Sequence, residues 1–367
     1  MSDVDAIAAV AAAACAVPGV FLVLRRMALM SDAIGHVLLL GIVLAFLATH
    51  DLRSPLLLVG AAAIGVVTVV LVEALQRTQR VKEDAAIGLV FPALFSIGVI
   101  LVSQRTANIH LDTDAVLNGS LEIAALEHWE FRGHDLGPKP LWFVGAALAL
   151  NLAFVGVFFK ELKLATFDAA LASALGFAPT ALHYALMTLV SFTAVAAFDA
   201  VGSILVVALM IAPAATAYLL TDSLKWMLAI AVAVAVSGSW LGCRLAEALD
   251  ATYAGAIAVA LGGLFAAAFL AAPERGLWAQ AARRRRQKRE FAVTMLLVHL
   301  AHHEDTPSAE IECRIDELPR HLRWPPRHVS DVALRAERSN LIQRRGEQLV
   351  LTGAGRERAL ATLNRPR

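Results

Sequence analysis

Hydrophobic and polar positions fall into long blocks along this chain. Nine apolar runs, near 4–24, 31–49, 55–75, 85–103, 141–159, 179–198, 200–220, 226–245 and 253–272, are separated by polar joints. Each is about 20 residues, the length an α-helix needs to cross the hydrocarbon of a bilayer. The runs are continuous rather than alternating, which selects helices over a barrel. The longest joint, 104–140, holds "LDTDAVLNGSLE", apolar enough for a short surface or re-entrant segment. Beyond Pro273 the pattern becomes that of a soluble chain. Residues 288–302 have helical spacing, and "IDELPRHL" and "PPRHVSDVALRAERSNLI" read as two more helices, the second opened by Pro325 and Pro326. "IQRRGEQLVLT" predicts a hairpin turning near Gly346, and "GAGRERALATLNR" returns to helix.

Three helices, a β-wing and a closing helix match a winged helix-turn-helix module. The expected fold is thus an all-α polytopic membrane protein of about nine transmembrane helices with a small α+β winged-helix domain. Its parts are a transmembrane domain over 1–272, a basic juxtamembrane linker over 273–286 and the winged-helix-like domain over 287–367. Composition agrees: 58% of residues are hydrophobic, and the mean hydropathy of +0.66 lies far from that of an ordinary soluble protein. No basic region precedes the first run and no cleavage motif follows it, so it is expected to stay as a span. Cys15, Cys243 and Cys313 are far apart, without metal-ligand spacing.

Charge orients the spans. Arg25 and Arg26, then Arg77, Arg80 and Lys82, then Lys160 and Lys163, then Lys225, then Arg283 to Arg286 mark every second joint as basic. The alternate joints are sparse or acidic, as in "EALDAT". The positive-inside rule then places the N-terminus outside and the C-terminus in the cytoplasm. From Arg283 onward 18 Lys/Arg face 11 Asp/Glu, although the whole chain carries only +1. "RRRRQKRE" reads as an anchor attracted to anionic lipid.

Chemistry is sparse. No G-x-x-x-x-G-K-[ST] occurs, so the chain holds no P-loop, and any driving ATPase is a separate chain. Asp32 and His36 share one face of the second run. An ionised acid inside a bilayer costs a few kcal/mol unless it is paired or faces water. Carboxylate and imidazole together are a partial ligand set for Mn2+, Fe2+ or Zn2+, and equally a structural hydrogen-bonded pair. Asp199 reads as a third ligand or as a loop acid or helix cap. Pro213 bends the seventh run and frees a carbonyl. His50 and His183 read as interface residues, while His110, Asp112 and Asp114 form an outer acidic loop able to attract cations. "ATFDAALASALGFAPTA" is a short helix stopped by Gly176 and Pro179, either a plain connector or a docking surface. In the tail no convincing metal-ligand cluster is legible, His299, His302 and His303 with Glu304 being the only candidates. Arg327, Arg335 and Arg338 suit phosphate contacts of a nucleic acid or a solvated face.

"MSDAIGHVLLLGIVLAF", "KEDAAIGLVFPALFSIGVILVS", "FDAALASALG" and "DAVGSILVVALMIAPAATAYLL", in that order, resemble the membrane permeases of ABC-type manganese, zinc and iron uptake systems. The resemblance covers 1–272, and the tail is similar to the winged-helix domains of iron- and manganese-dependent repressors. It implies a homodimer or a heterodimer with a sister permease, a metal-binding solute-binding protein outside, and cytoplasmic ATPase subunits. It places Asp32 and His36 in the family's Asp-x-x-x-His motif on the metal path. It places Phe167, Asp168, Ala172 and Gly176 in the segment that packs on the ATPase. Gly35 stands where a serine is more usual before the histidine. No permanently bound cofactor is implied; the dication, manganese first and zinc or iron next, is cargo. The expected function is therefore a non-enzymatic transport subunit. Its competitors are an ion-coupled secondary transporter and a membrane-tethered, metal-responsive DNA-binding regulator.

Overall fold

The computed structural model describes residues 2–51, 54, 56–105, 121–131, 134–304, 306 and 309–363. They form two compact units, Met1–Gly276 and Leu277–Arg367, each with its own apolar core. Nine helices of the first unit, among the described residues, are long and apolar enough to span a membrane. They are α1 (Asp3–Leu24), α2 (Ala28–Thr49), α3 (Leu56–Arg77), α4 (Glu83–Arg105), α6 (Lys139–Val157), α9 (Pro179–Val201), α10 (Ser203–Leu220), α11 (Leu224–Leu249) and α12 (Tyr253–Ala271). Each coincides with a predicted run to within a few residues at its ends, and the multi-pass all-α architecture is as expected. The longest departure is α11. It continues to Leu249 with its charged residues paired: Arg244 bonds both Glu247 on the same helix and Asp5 of α1.

The remaining elements sit in the joints. Between α4 and α6 lie α5 (Leu121–Leu126) and a hairpin of β1 (His128–Phe131) and β2 (His134–Pro138), with Phe131 opposite His134. The apolar periodicity had not indicated this hairpin, since four- and five-residue strands carry little alternation. Most of "LDTDAVLNGSLE" lies outside the described residues. After α6 come α7 (Phe159–Phe167) and α8 (Ala169–Ala174).

Helix α1 is the axis of the bundle. It packs on α6, α9, α10 and α11, and Ile7, Cys15 and Phe21 are fully buried. Without a hydrophobic drive between helices in lipid, close backbone approach must supply much of the contact energy. Gly19 gives that approach: a Cβ there would run into the carbonyl of Met210 on α10. Gly41 of α2 and Gly60 of α3 meet in the same way. Two charged clusters gather the joints. At one end Arg244 Nη2 reaches Asp5 Oδ1 at 2.8 Å and Oδ2 at 2.7 Å, and His128 lies 3.8 Å from Asp3. At the other, Arg25, Glu73, Thr166 and His183 converge from the ends of α1, α3, α7 and α9.

The second unit contains α13 (Leu277–His303), α14 (Ala309–Glu312), α15 (Leu318–Leu322), α16 (Pro326–Arg338), β3 (Ile342–Arg345), β4 (Gln348–Leu351) and α17 (Gly353–Leu363). The basic run Arg283–Arg286 lies on α13. "IDELPRHL" is helical only over Leu318–Leu322, where Pro319 occupies the first turn. β3 and β4 pair antiparallel with Arg345 opposite Gln348, and Gly346 takes the positive φ of 63° that the two-residue turn demands. Leu296, Leu297 and Leu300 of α13 close this unit's core against Val329, Val332 and Ala336 of α16 and Leu349 and Leu351 of β4.

Candidate functional site

Asp32 and His36 occupy the second and third turns of α2, and His36 Nε2 lies 3.4 Å from Asp32 Oδ1. Their neighbours Met30, Ser31, Ala33, Ile34 and Val37 are buried. The pair itself stays partly open, 37% exposed for His36 and 44% for Asp32. Such openness matters because it leaves carboxylate and ring nitrogen free to meet an ion. The imidazole is held from α4: it stacks on Phe91 at 5.6 Å and meets the edge of Phe95 at 6.1 Å. The aromatic walls restrict the ring without using its nitrogens. A Cβ at Gly35 would meet nothing within 4 Å, so the serine more usual there would fit without a clash. Among the described residues, no third His, Cys, Asp or Glu of this chain joins them within ligand reach.

Asp199 is exposed on the last turn of α9, just before Gly202, whose φ of 80° lets the chain turn directly into α10. It is not grouped with Asp32 and His36. His110, Asp112 and Asp114 lie outside the described residues.

The α7–α8 segment divides its four predicted residues by task. Asp168 caps α8, its carboxylate accepting from the Leu171 amide at 2.9 Å. Ala172 is fully buried. Gly176, with φ of 86°, ends the helix, and Phe177 N–H donates back to the Ala172 carbonyl. Phe167 is exposed, and so are Leu171, Leu175 and Phe177, which the motif did not single out. Four exposed apolar side chains on so short a segment form a surface suited to a protein partner.

A polar cluster lies behind this segment. His183 Nε2 is 2.5 Å from Glu73 Oε1, and Arg25 Nη1 is 2.9 Å from His183 Nδ1. Arg25 also donates to Thr166 Oγ1 at 3.3 Å, and Tyr184 O–H donates to Glu73 Oε2. Arginine carries only donors, so Nδ1 accepts and the ring proton sits on Nε2, facing Glu73. A cavity of about 580 Å³ is lined by Arg25, Glu73 and His183 with Gln76, Arg77 and Thr180. Sequence reading treated His183 as a lone interface residue; its partners are 110 and 158 positions away, beyond any local pattern.

Of the tail arginines, Arg327 and Arg338 are exposed and Arg335 is half-buried on α16.

Nine helices fit to span a membrane among the described residues, with a partly open carboxylate–imidazole pair and an apolar end surface, make this a multi-pass membrane protein. Comparison places it more closely: residues 1–272 match the ABC 3 transport family, and the chain belongs to that family. It is a membrane permease subunit, not a catalytic one, and part of an ABC transporter complex. The zinc transport system membrane protein TroD of Treponema pallidum (strain Nichols) is 46% identical over 362 residues, covering 99% of this chain and 98% of that protein. The manganese transport system membrane protein MntD of Bacillus subtilis (strain 168) is 43% identical over 263 residues, covering 72% of this chain and 89% of its own length. Among solved structures, PsaBC from Streptococcus pneumoniae in complex with Fab superposes with a TM-score of 0.62 at 28% identity, covering 74% of this chain and 92% of that one.

Proposed function

We propose that this permease imports divalent transition-metal ions, manganese or zinc first and iron next, and that Asp32 and His36 hold the ion in passage. The observation that carries the reading is the pair itself: two metal-ligating groups on one face of a membrane helix, braced by aromatic rings and left partly open. One carboxylate oxygen and one imidazole nitrogen are too few to retain a dication, which usually takes four or more donors. A second permease copy facing this one would bring an equivalent pair. The resulting N2O2 set binds firmly enough to capture an ion and loosely enough to release it. Asp199 is a helper on the same reading.

The basic residues support an orientation. Arg25, Arg77 and Lys160 flank the cluster at the α7–α8 end, and Lys225 lies over Phe159 at 5.9 Å. That end faces the cytoplasm, and the N-terminus faces outside, where a solute-binding protein delivers the ion. The exposed Phe167, Leu171, Leu175 and Phe177 dock on an ATPase subunit, whose motion is passed through Arg25, His183 and Glu73 to α1, α3 and α9. The tail, a helical unit with a two-stranded wing, is a winged-helix module acting as a regulatory or assembly domain.

Reconstituted vesicles containing the permease and its ATPase test the reading. Asp32→Asn and His36→Ala should each lower ATP-dependent Mn2+ or Zn2+ uptake at least tenfold while the complex stays assembled. Normal uptake by either variant rejects the ligand assignment.

A further inference from the structure

The tail carries a second cluster of metal-ligating groups, unconnected with the pair on α2. His299 and His303 lie one turn apart near the end of α13, and Glu312 closes α14. One ligand atom from each lies within 4.8 Å of the other two, and all three side chains are half-buried. His303 Nδ1 is 2.6 Å from Glu312 Oε2. His299 Nε2 lies 3.2 Å from the Glu312 carbonyl. A carbonyl only accepts, so that nitrogen carries the proton and the other keeps its lone pair. The two imidazole centroids are 4.7 Å apart, and His321 of α15 approaches His299 to 5.9 Å. Glu304, adjacent to His303 in sequence, is occupied elsewhere by Arg356 at 2.7 and 3.0 Å.

An ion pair explains one imidazole and the carboxylate, but not the second ring. Two imidazolium ions at this spacing would repel, and a single carboxylate balances one of them. Two neutral imidazoles and a carboxylate make an N2O donor set, the composition that borderline dications take. The contact from His299 to a backbone carbonyl is the outer hydrogen bond that orients a metal-binding imidazole.

We propose that His299, His303 and Glu312 bind a divalent transition-metal ion, with water or His321 in the fourth position. The ion ties the end of α13 to the hairpin. Glu312 leads into Cys313, whose carbonyl accepts from the Leu349 amide of β4 at 3.0 Å, and into Arg314, which pairs with Glu347 at the β3–β4 turn. The site stands on the geometry of the tail alone. That its ion is the imported cargo rests on the transport reading above.

Co2+ is the probe, because its ligand-field bands report coordination directly. Full-length protein in detergent, stripped by chelator, is titrated in the wild type and in an Asp32→Asn/His36→Ala background. One equivalent giving a visible band in both is expected, with the band lost on Glu312→Gln or His303→Ala. Glu312→Gln keeps the size of the side chain and an acceptor oxygen, so the fold survives it. Zn2+-induced slowing of hydrogen exchange over 299–314 in the wild type is a second readout that needs no variant. No band in the double background, a band that Glu312→Gln retains, or unchanged exchange with Zn2+ overturns the tail site. A band that disappears only with Asp32→Asn/His36→Ala overturns it too, while leaving the transport reading standing.

Discussion

Asn151 shows how one polar side chain organises an otherwise apolar bundle. It is buried on α6, and its amide nitrogen donates to the Ala14 carbonyl of α1 at 3.1 Å and to Thr193 Oγ1 of α9 at 2.8 Å. Three helices thus meet at one group that has no water to fall back on. Asn151→Leu keeps the volume and removes both bonds; it should destabilise the bundle by about 1–2 kcal/mol, read as a lower Tm in detergent with an unchanged elution profile. Asn151 was not legible as a clip, because a lone amide in an apolar run does not reveal what it faces. Asp32 and His36 were legible for the opposite reason. Their spacing of four places them together whatever the tertiary structure, and a charged group in such a run needs an account of itself. Glu312 was hidden for a third reason. It lies nine positions from His303, and only the return of α14 brings it back, so the adjacent Glu304 looked like the natural partner.

At the scale of the element, the spans were readable because twenty apolar residues in water-free surroundings have one outcome, a helix with all its backbone bonds satisfied. The α7–α8 segment was readable only in outline. Gly176 and Pro179 announce where the helix stops, yet nothing in a stretch of Ala, Leu and Phe tells which side chains turn outward. The structure separates them: Ala172 inward, Phe167, Leu171, Leu175 and Phe177 outward. Leu171 is therefore a discriminating position. A surface substitution away from special features changes stability little, so Leu171→Asp should leave the Tm of the isolated permease nearly unchanged. If the exposed face docks an ATPase, the same change should weaken co-purification of that subunit at least tenfold and reduce uptake in step. Undiminished co-purification would mean that the face serves another purpose. Its neighbour Asp168 would not make the same test, since losing its carboxylate also removes the cap of α8.

At the scale of the whole molecule, the chain joins two units with separate cores, and the match to the family model spans 1–272, nearly the whole of the first unit, while the likeness to TroD runs on through the second. Each core is closed by its own side chains: the bundle by residues from Ile7 to Leu261, the tail by residues from Ala292 to Ala359. A unit whose core is complete does not need its neighbour in order to pack. Removal of 287–367 should then leave a permease that assembles with its ATPase and retains most of its uptake in vesicles. Under the competing reading, in which the spans serve a tethered regulator, the same truncation would abolish activity altogether. The truncation also sharpens the meaning of the tail. A permease that keeps its transport rate but no longer changes that rate when Zn2+ or Mn2+ accumulates inside the vesicle would assign the second unit to control. The same loss of response produced by Glu312→Gln alone would narrow that control to the cluster of His299, His303 and Glu312.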